Sequence, residues 1–253
     1  MSRTTTETAR LALACLDLTS LNDTDTDADI ERLCERAVTP HGPVAAVCVW
    51  PRLAKAARVH APAGVAVAAV ANFPDGSTDV QRTLRDAGTI VDAGAQEVDL
   101  VLPWRALADG DIPACTAVLR AVRRASEGLR LKVILESGEL REPTLIERAA
   151  TLALAEGADF LKTSTGKTAN GATPAAARTM LGIIAAQGNR AGFKASGGVR
   201  TVADAAVYLD LVEAALGPEA LGLQRVRIGA SGLLADIEAV LSGAPAAGPR
   251  DGY

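Results

Sequence analysis

Lysine is scarce in this chain, and most of the lysines lie in or directly after apolar runs of strand length. The sequence contains 21 Arg but 5 Lys. Lys132 lies in LKVILE, Lys162 and Lys167 lie in FLKTSTGK, and Lys194 lies in GFKASGG. A desolvated lysine amine gives up its proton readily and can then attack a carbonyl to form a Schiff base, whereas arginine stays protonated. The pattern therefore predicts imine chemistry at a strand lysine.

A structural alternative stays open, because a buried charge is costly unless it is paired. Lys162 or Lys132 would then neutralise a carboxylate without taking part in chemistry, and Glu136 is the partner that the sequence suggests for Lys132. Lys55 falls in a predicted outer helix and is expected on the surface.

A weak internal repeat connects Asp99 with Lys162. The segment AGAQEVD (93–99) resembles EGADFLK (156–162), and in both a helix-ending glycine is followed five positions later by a charged residue in a strand. The repeat predicts that Asp99 and Lys162 lie at similar heights in two strands. Both would face a barrel interior, where a charge can find a partner.

Two glycine-rich turns follow the last two strand-like runs and suit a phosphate group. Gly197–Arg200 (GGVR) precedes one predicted helix, and Gly229–Gly232 (GASG) opens another. Helix N-termini offer unpaired backbone N–H groups and a partial positive charge. One such turn alone would be only a tight turn, but two in these positions, with Gly166 and Lys167 as a third side, predict a phosphate site.

Strand-like and helical segments alternate through the whole chain. The apolar runs are Leu13–Asp17, Val44–Trp50, Val65–Ala71, Glu97–Leu102, Leu131–Glu136, Asp159–Thr163, Gly192–Ser196 and Arg225–Gly229. About eight strand–helix units of roughly thirty residues predict an α/β fold, a single-domain (β/α)8 TIM barrel over residues 1–241. A mobile tail is expected over residues 242–253. The alternative, a doubly wound open sheet, lacks a GxGxxG motif after the first strand.

Composition and charge exclude several classes of protein. The net charge of −4 argues against an electrostatic nucleic-acid binder, and no apolar run is long enough to span a membrane. The four Cys form no CxxC pair and have no nearby His, so we expect reduced thiols, no zinc site and a cytoplasmic protein without a signal peptide. Neither His41 nor His60 adjoins a nucleophile pattern.

Eight ordered segments resemble the deoxyribose-phosphate aldolases, which are class I lyases with a barrel fold. They are LDLTSLNDTDT (16–26), AAVCVWPR (45–52), VANFPDG (70–76), EVDLVLP (97–103), LKVILESGEL (131–140), GADFLKTSTGK (157–167), GFKASGGVRT (192–201) and IGASGLL (228–234). The resemblance implies reversible cleavage of 2-deoxy-D-ribose 5-phosphate to D-glyceraldehyde 3-phosphate and acetaldehyde. It also implies a role in deoxynucleoside catabolism.

The resemblance assigns roles to particular residues. Lys162 would form the Schiff base, Lys194 would be the nearby cation that lowers its pKa, and Asp99 would shuttle protons. The phosphate contacts would fall on Gly166, Lys167, Gly197, Gly198, Ser231 and their backbone neighbours, including Gly229. Gly232 stands where the family more commonly has Ser and can offer only its backbone N–H. No metal or cofactor is expected.

Four further residues are weaker candidates. Asp17, Asn72 and Ser137 would contact substrate hydroxyls or simply belong to turns and the barrel layers. Tyr253, the last residue, would fold its phenol over the site as an acid–base aid or belong to a disordered end.

Two other functions are alternatives to this interpretation. A sugar-phosphate isomerase would rely on Glu/His or Asp/Cys pairs, and a regulatory sugar-phosphate-binding protein would not need Lys162, Lys194 and Asp99 together. The expected partners are a sugar phosphate and aldehydes, with no nucleic acid and no membrane. A homodimer through an apolar helix face stays open.

Overall fold

Eight parallel strands close into a barrel in the computed structural model, which describes residues 3–243. The strands are β1 (Leu16–Thr19), β2 (Ala46–Val49), β3 (Ala66–Ala71), β4 (Glu97–Val101), β5 (Arg130–Ile134), β6 (Phe160–Lys162), β7 (Gly192–Ser196) and β8 (Val226–Ala230). Each strand pairs with its neighbours in the chain, and β1 closes the ring by pairing with β8, where Leu16 lies opposite Ile228. The predicted (β/α)8 barrel is confirmed, and closure excludes the open sheet.

Helices follow every strand and cover the outside of the barrel. They are α1 (Thr5–Ala14), α2 (Asp27–Glu35), α3 (Ala54–His60), α4 (Val80–Asp92), α5 (Trp104–Ala108), α6 (Ile112–Ala125), α7 (Ser137–Leu140), α8 (Pro143–Ala155), α9 (Pro174–Ala186), α10 (Val202–Leu216) and α11 (Leu233–Leu241). Short 3-10 turns occupy Pro51–Leu53 and Pro218–Ala220, and a small antiparallel hairpin pairs Val38–Thr39 with Gly42–Pro43. None of the helices within residues 3–243 has the length and apolar character needed to cross a membrane.

Side-chain caps fix where several helices begin. Thr26 and Thr201 each form a reciprocal capping box with an Asp three residues later, and Thr173 caps α9 ahead of Pro174. Helix α4 is capped by Asp79, because its carboxylate accepts from the backbone N–H of Arg82. The cap residues therefore set the length of each loop at the barrel mouth.

The largest boundary error lies at the first strand. The sequence predicted a strand from Leu13, but α1 extends to Ala14 and β1 begins at Leu16. Leu13 is buried as part of the helix, and an uninterrupted apolar run does not show where a helix ends and a strand begins. Residues 244–253 of the predicted tail lie outside the described residues.

The barrel interior is polar, unlike the layer between strands and helices. Apolar strand residues such as Leu16, Val98 and Leu161 pack in the main core with helix residues such as Ile90 and Leu181. Charged side chains from the same strands are almost wholly buried and bond to one another across the barrel. Strands covered on both faces explain the near-continuous apolar runs, and the interior charges explain their interruptions.

Candidate active site

Seven charged side chains form one buried network inside the barrel. Its anions are Asp17, Glu97 and Asp99, and its cations are Lys132, Lys162, Lys194 and Arg227. Every member is at most 3% exposed. Burial of so many charges is tolerated only because each one has partners of opposite sign.

Lys162 is the network member that reaches the mouth of the barrel. It is the last residue of β6, and its Nζ donates to Asp99 Oδ2 at 2.8 Å. It also lines the large cavity above the network. Burial lowers the pKa of Lys162, and the charge of Lys194 lowers it further, against the opposing effect of Asp99. These conditions favour a neutral amine that faces a space where a substrate can bind.

Lys194 has the opposite electrostatic setting, although it lies beside Lys162 in the next strand. The two residues are register partners across β6 and β7. Lys194 Nζ donates to Asp99 Oδ2 at 2.7 Å and also to Asp17 Oδ2. Burial alone would lower the pKa of Lys194, but the two aspartates outweigh it and raise the pKa. Lys194 is therefore the lasting cation of the pair.

Asp99 remains ionised at the centre of the network. Its Oδ1 accepts from Lys132 at 2.7 Å, while Oδ2 accepts from both Lys162 and Lys194. Burial would raise the pKa of Asp99, but these three cations hold it well below its usual value. Asp99 lies opposite Lys132, and Lys162 lies opposite Ile134, so the predicted similarity in height is met by side-chain reach rather than by strand register.

The number of charges favours loss of one proton from the network. With four cations and three anions, the buried network carries one excess positive charge when every group is ionised, and the partly exposed Arg130, which also pairs with Glu97, adds to the positive side. Loss of the proton from one lysine reduces this excess. Among the three lysines, Lys162 alone has a lowered pKa, whereas Lys132 and Lys194 have raised ones. The network thus assigns the neutral amine to Lys162.

The deeper half of the network was not anticipated from the sequence. Arg227 Nη2 donates to Glu97 Oε1 at 2.7 Å, and Lys132 Nζ lies 2.6 Å from Glu97 Oε2. The predicted pairing of Lys132 with Glu136 is wrong, because Glu136 follows the end of β5 and turns towards the loop after β6. Charged residues inside apolar strand runs were the available signal, and Glu97 and Arg227 carry it as clearly as Asp99 does.

Asp17 belongs to this deeper layer. Its Oδ1 accepts from Arg227 Nη1 at 2.6 Å, and its Oδ2 accepts from Lys194. The side chain is fully buried, and the cavity lining on β1 begins at Thr19. The geometry favours the barrel-layer role over a hydroxyl contact.

A cavity of about 720 Å³ opens above Lys162 at the carboxyl ends of the strands. The loop after β6 contributes Gly166 and Lys167, whose Nζ donates to the carbonyl of Leu21 across the mouth at 2.7 Å. The remaining predicted phosphate residues all line the same cavity, and they are Gly197, Gly198, Gly229, Ser231 and Gly232. The structure thus brings the candidate nucleophile and the candidate phosphate residues to one space.

Of the two helices that begin at this cavity, α11 is the one with a free N-terminus. At α10, Asp204 accepts from the backbone N–H groups of Arg200 and Thr201, and Asp236 accepts from that of Val202 at 2.7 Å. Helix α11 begins after Gly232, and no side chain of the described part of the chain caps it. Its first N–H groups are therefore available to an anion held between Gly198 and Gly232.

Gly229 has a steric role that the sequence did not suggest. A Cβ at this position would lie 2.9 Å from Lys194 Cε and 3.0 Å from Ser196 Cβ. The missing side chain therefore leaves room for the lysine to cross the barrel. Gly197 and Gly198 have φ values of +86° and +91°, which suit glycine and fold the turn over the cavity.

The remaining candidates separate into turn residues and one undescribed residue. Asn72 is fully buried and binds the backbone of Ser77 and Val101, so it organises the loop after β3. The Oγ of Ser137 is buried and has no hydrogen-bond partner among residues 3–243. Tyr253 lies outside the described residues. Within residues 3–243, no group of three or more His, Cys, Asp or Glu side chains is arranged to hold a metal ion.

Comparison with known proteins gives a consistent set of relatives. A family model described as DeoC/LacD family aldolase matches residues 11–237. The deoxyribose-phosphate aldolase of Agrobacterium fabrum (strain C58) is 44% identical over 253 residues, which cover 98% of this chain and 96% of the relative.

Solved structures share the barrel over nearly their whole length. An apo crystal structure from Toxoplasma gondii ME49, provisionally described as a deoxyribose-phosphate aldolase, superposes with a TM-score of 0.86 at 26% identity and covers 95% of this chain and 98% of that one. The tetrameric deoxyribose phosphate aldolase of Aeropyrum pernix gives a TM-score of 0.71 at 25% identity, with 94% and 93% of the two chains covered.

Proposed function

The chain belongs to the DeoC/LacD family of aldolases, and from this premise we propose that it cleaves 2-deoxy-D-ribose 5-phosphate reversibly to D-glyceraldehyde 3-phosphate and acetaldehyde. It acts as a class I aldolase, with Lys162 as the Schiff-base residue. The observation that carries the proposal is the setting of Lys162. Its amine ends a buried charge network, has a lowered pKa and faces the cavity.

The reaction begins when the neutral amine of Lys162 attacks the aldehyde carbon of the open-chain sugar. The carbinolamine loses water and becomes a protonated imine, which draws electrons from the neighbouring C–C bond. Loss of the proton from the C3 hydroxyl then breaks the C2–C3 bond and releases D-glyceraldehyde 3-phosphate. The enamine that remains on Lys162 takes a proton at C2, and hydrolysis releases acetaldehyde and restores the amine.

Asp99 and Lys194 move protons during these steps. Asp99 is an anion beside the Lys162 amine and accepts protons, whereas Lys194 begins each step protonated, donates a proton and regains one afterwards. We assign carbinolamine dehydration and enamine protonation to this pair, acting through water. The positive charge of Lys194 also keeps the Lys162 amine neutral at the start of each cycle.

The phosphate of the substrate binds where the glycine turns meet. Gly166, Lys167, Gly197, Gly198 and Ser231 surround one end of the cavity, and the free N-terminus of α11 faces it. Backbone N–H groups and the Lys167 ammonium together suit a phosphate dianion. With the phosphate held there, the aldehyde carbon reaches Lys162 at the bottom of the cavity.

The proposal extends to the setting in which the enzyme works. The protonated imine is itself the electron sink, so the chemistry calls for no metal or cofactor. The four cysteines are unpaired and buried, which supports a reducing compartment, and we propose the cytoplasm. A role in deoxynucleoside catabolism follows from the proposed substrate.

Borohydride trapping tests the proposal directly. The protein is incubated with deoxyribose 5-phosphate or acetaldehyde, reduced with borohydride and mapped by peptide mass. We expect one reduced adduct, on Lys162, which disappears in Lys162→Arg and persists in the surface control Lys55→Arg. A stable adduct on another lysine, or none with either compound, would contradict the assignment.

A further inference from the structure

Glu136 is a buried carboxylate that the proposed mechanism does not use. It follows β5 and has φ +54° and ψ +50°, the left-handed region that glycine tolerates and glutamate rarely adopts. The residue is fully buried, and no salt bridge to it is found within residues 3–243. A strained backbone conformation and a buried carboxyl group without a cationic partner, whose pKa burial raises, both cost free energy, which points to a specific use.

Both oxygens of the Glu136 carboxylate face the loop that follows β6. They accept from the backbone N–H of Thr165 at 3.2 and 3.3 Å, and the hydroxyl of Thr168 lies 3.5 Å from Oε1. The backbone joins in, because the N–H of Ser137 donates to the carbonyl of Thr163 at 2.9 Å. Residues 163–168 are therefore fastened to the end of β5 at three places.

The segment after Glu136 packs tightly against the far end of the same loop. A Cβ at Gly138 would lie 2.2 Å from the carbonyl oxygen of Asn170. Glu139 Oε1 accepts from the side-chain amide of Asn170 at 3.2 Å. Short helix α7 thus supports one end of the loop while Glu136 holds the other.

The fastened loop carries two of the proposed phosphate residues. Gly166, with φ +76°, directly follows Thr165, and the N–H of Lys167 donates to Thr165 Oγ1 at 3.0 Å. A Cβ at Gly166 would lie 3.7 Å from Gly197 Cα, so this loop meets the glycine turn after β7. A displacement of Thr165 would therefore change the shape of the phosphate end of the cavity.

We propose that Glu136 is a positioning residue for the phosphate end of the substrate, because its buried carboxylate holds the loop of Gly166 and Lys167 in place. The inference rests on the proposed function. The hydrogen bonds of the Glu136 carboxylate go to Thr165 and Thr168 of the loop and not to the Lys162 amine, whose nearest charged partner is Asp99. A change at Glu136 should then affect phosphate binding and spare the reaction of an unphosphorylated sugar.

Glu136→Gln is the informative substitution. Because both carboxylate oxygens face the Thr165 N–H, a glutamine amide must turn its own NH₂ towards that donor, and the loop has to move. Glu136→Asp is measured in parallel, since it keeps the charge but shortens the reach. Glu139→Gln is the matched control, because its amide oxygen can still accept from Asn170 and it contacts neither Thr165 nor Lys167.

The measurements separate phosphate binding from chemistry. We expect Glu136→Gln and Glu136→Asp to raise the KM for deoxyribose 5-phosphate and the inhibition constant of inorganic phosphate by about tenfold. The kcat/KM for unphosphorylated 2-deoxyribose should stay near that of the wild type, and Glu139→Gln should resemble the wild type in both. Equal losses on both sugars, or no change on either, would overturn the inference.

Thermal shift with inorganic phosphate tests the inference apart from the reaction. Phosphate should raise the Tm of the wild type and of Glu139→Gln, and should raise that of the Glu136 variants less. An equal shift in all of them would refute the role of Glu136 even if the aldolase proposal holds. Absence of cleavage by the wild type would refute the aldolase proposal and leave the phosphate shift as the measure of Glu136.

Discussion

Lys162 and Lys194 donate to the same carboxylate oxygen, Oδ2 of Asp99, at 2.8 and 2.7 Å. The shared oxygen holds the two amines so close together that the positive charge of one opposes protonation of the other. Asp17 gives Lys194 a second anion, whereas Lys162 has no second anionic partner within residues 3–243, so the proton stays on Lys194. Because both residues are lysines, the anions around each one determine which of the two is the nucleophile.

Replacement of Lys162 by arginine should abolish activity and preserve the fold. Arginine keeps a positive charge beside Asp99 but cannot supply a neutral amine. We expect turnover to fall below about one-thousandth of the wild-type value, as for other covalent nucleophiles. Steady-state kinetics and circular dichroism measure the two effects, and near-normal turnover would refute the imine role.

Replacement of Lys194 by glutamine should move the pH dependence to higher pH. The amine of Lys162 reacts when neutral, so kcat/KM rises as its proton is lost. Removal of the neighbouring cation raises the pKa of Lys162, and the rising limb should shift upward by about one pH unit. A pH–rate profile tests this, with Lys55→Gln as the surface control. An unmoved limb would show that Lys194 does not set this pKa.

The architecture was predictable because local patterns and the global fold agree. Strands such as Gly192–Ser196 have the expected bounds, since glycine and charged residues interrupt an otherwise apolar run. The pair of Lys162 and Lys194 was recognisable because a lysine in an apolar strand is costly to bury unless it has a partner or a function. The partners of Lys132 could not be predicted, because pairing across the barrel depends on strand stagger and not on nearness in sequence.

The contacts by which Glu136 holds the loop of Gly166 and Lys167 could not have been predicted from the sequence. The left-handed conformation of Glu136 is rare for glutamate, and propensities favour other conformations. Its contact with Thr165 joins the ends of β5 and β6, whose pairing brings together residues almost thirty positions apart in the chain. Such contacts follow from tertiary structure and leave no periodic trace in the sequence.

Replacement of Arg227 by methionine should destabilise the barrel strongly. Arg227 bonds to both Asp17 and Glu97, and its loss leaves buried carboxylates without that partner. Removal of one member of a buried ion pair typically costs about 3–5 kcal/mol of unfolding free energy. Urea unfolding measures the change.

The matched control is Arg120→Met, which breaks an exposed ion pair with Glu156 and should alter stability little. Equal effects of the two substitutions would contradict the proposed importance of the network.

Acid should weaken the barrel through its buried aspartates. The cations around Asp17 and Asp99 hold their pKa values below the usual range, so the folded state binds fewer protons than the unfolded chain. Their stabilisation is complete above the unfolded pKa, about 3.9, and is lost as the pH falls below it. Unfolding free energy should therefore decline increasingly from about pH 5 downward.

Urea titrations at several pH values measure this decline. Asp99→Asn removes one of the responsible groups and should flatten the acid part of the curve, although the variant is less stable at neutral pH. The surface substitution Asp109→Asn should leave the slope as it is in the wild type. An acid slope unaffected by Asp99→Asn would place the pH dependence elsewhere.

Replacement of Gly232 by serine should strengthen binding of the substrate phosphate. Gly232 precedes α11, has φ −105°, and a Cβ there would meet no atom within 4 Å, so a side chain fits without strain. The added hydroxyl would lie at the free helix N-terminus and donate to the phosphate. We expect the KM for deoxyribose 5-phosphate to fall by about threefold, the gain from one ordinary hydrogen bond. The kcat/KM for unphosphorylated 2-deoxyribose should not change.

Gly232→Ala is the control, because it adds the Cβ without the hydroxyl and should leave both the KM and the kcat/KM as they are in the wild type. An equal fall in KM with alanine would assign the effect to the backbone.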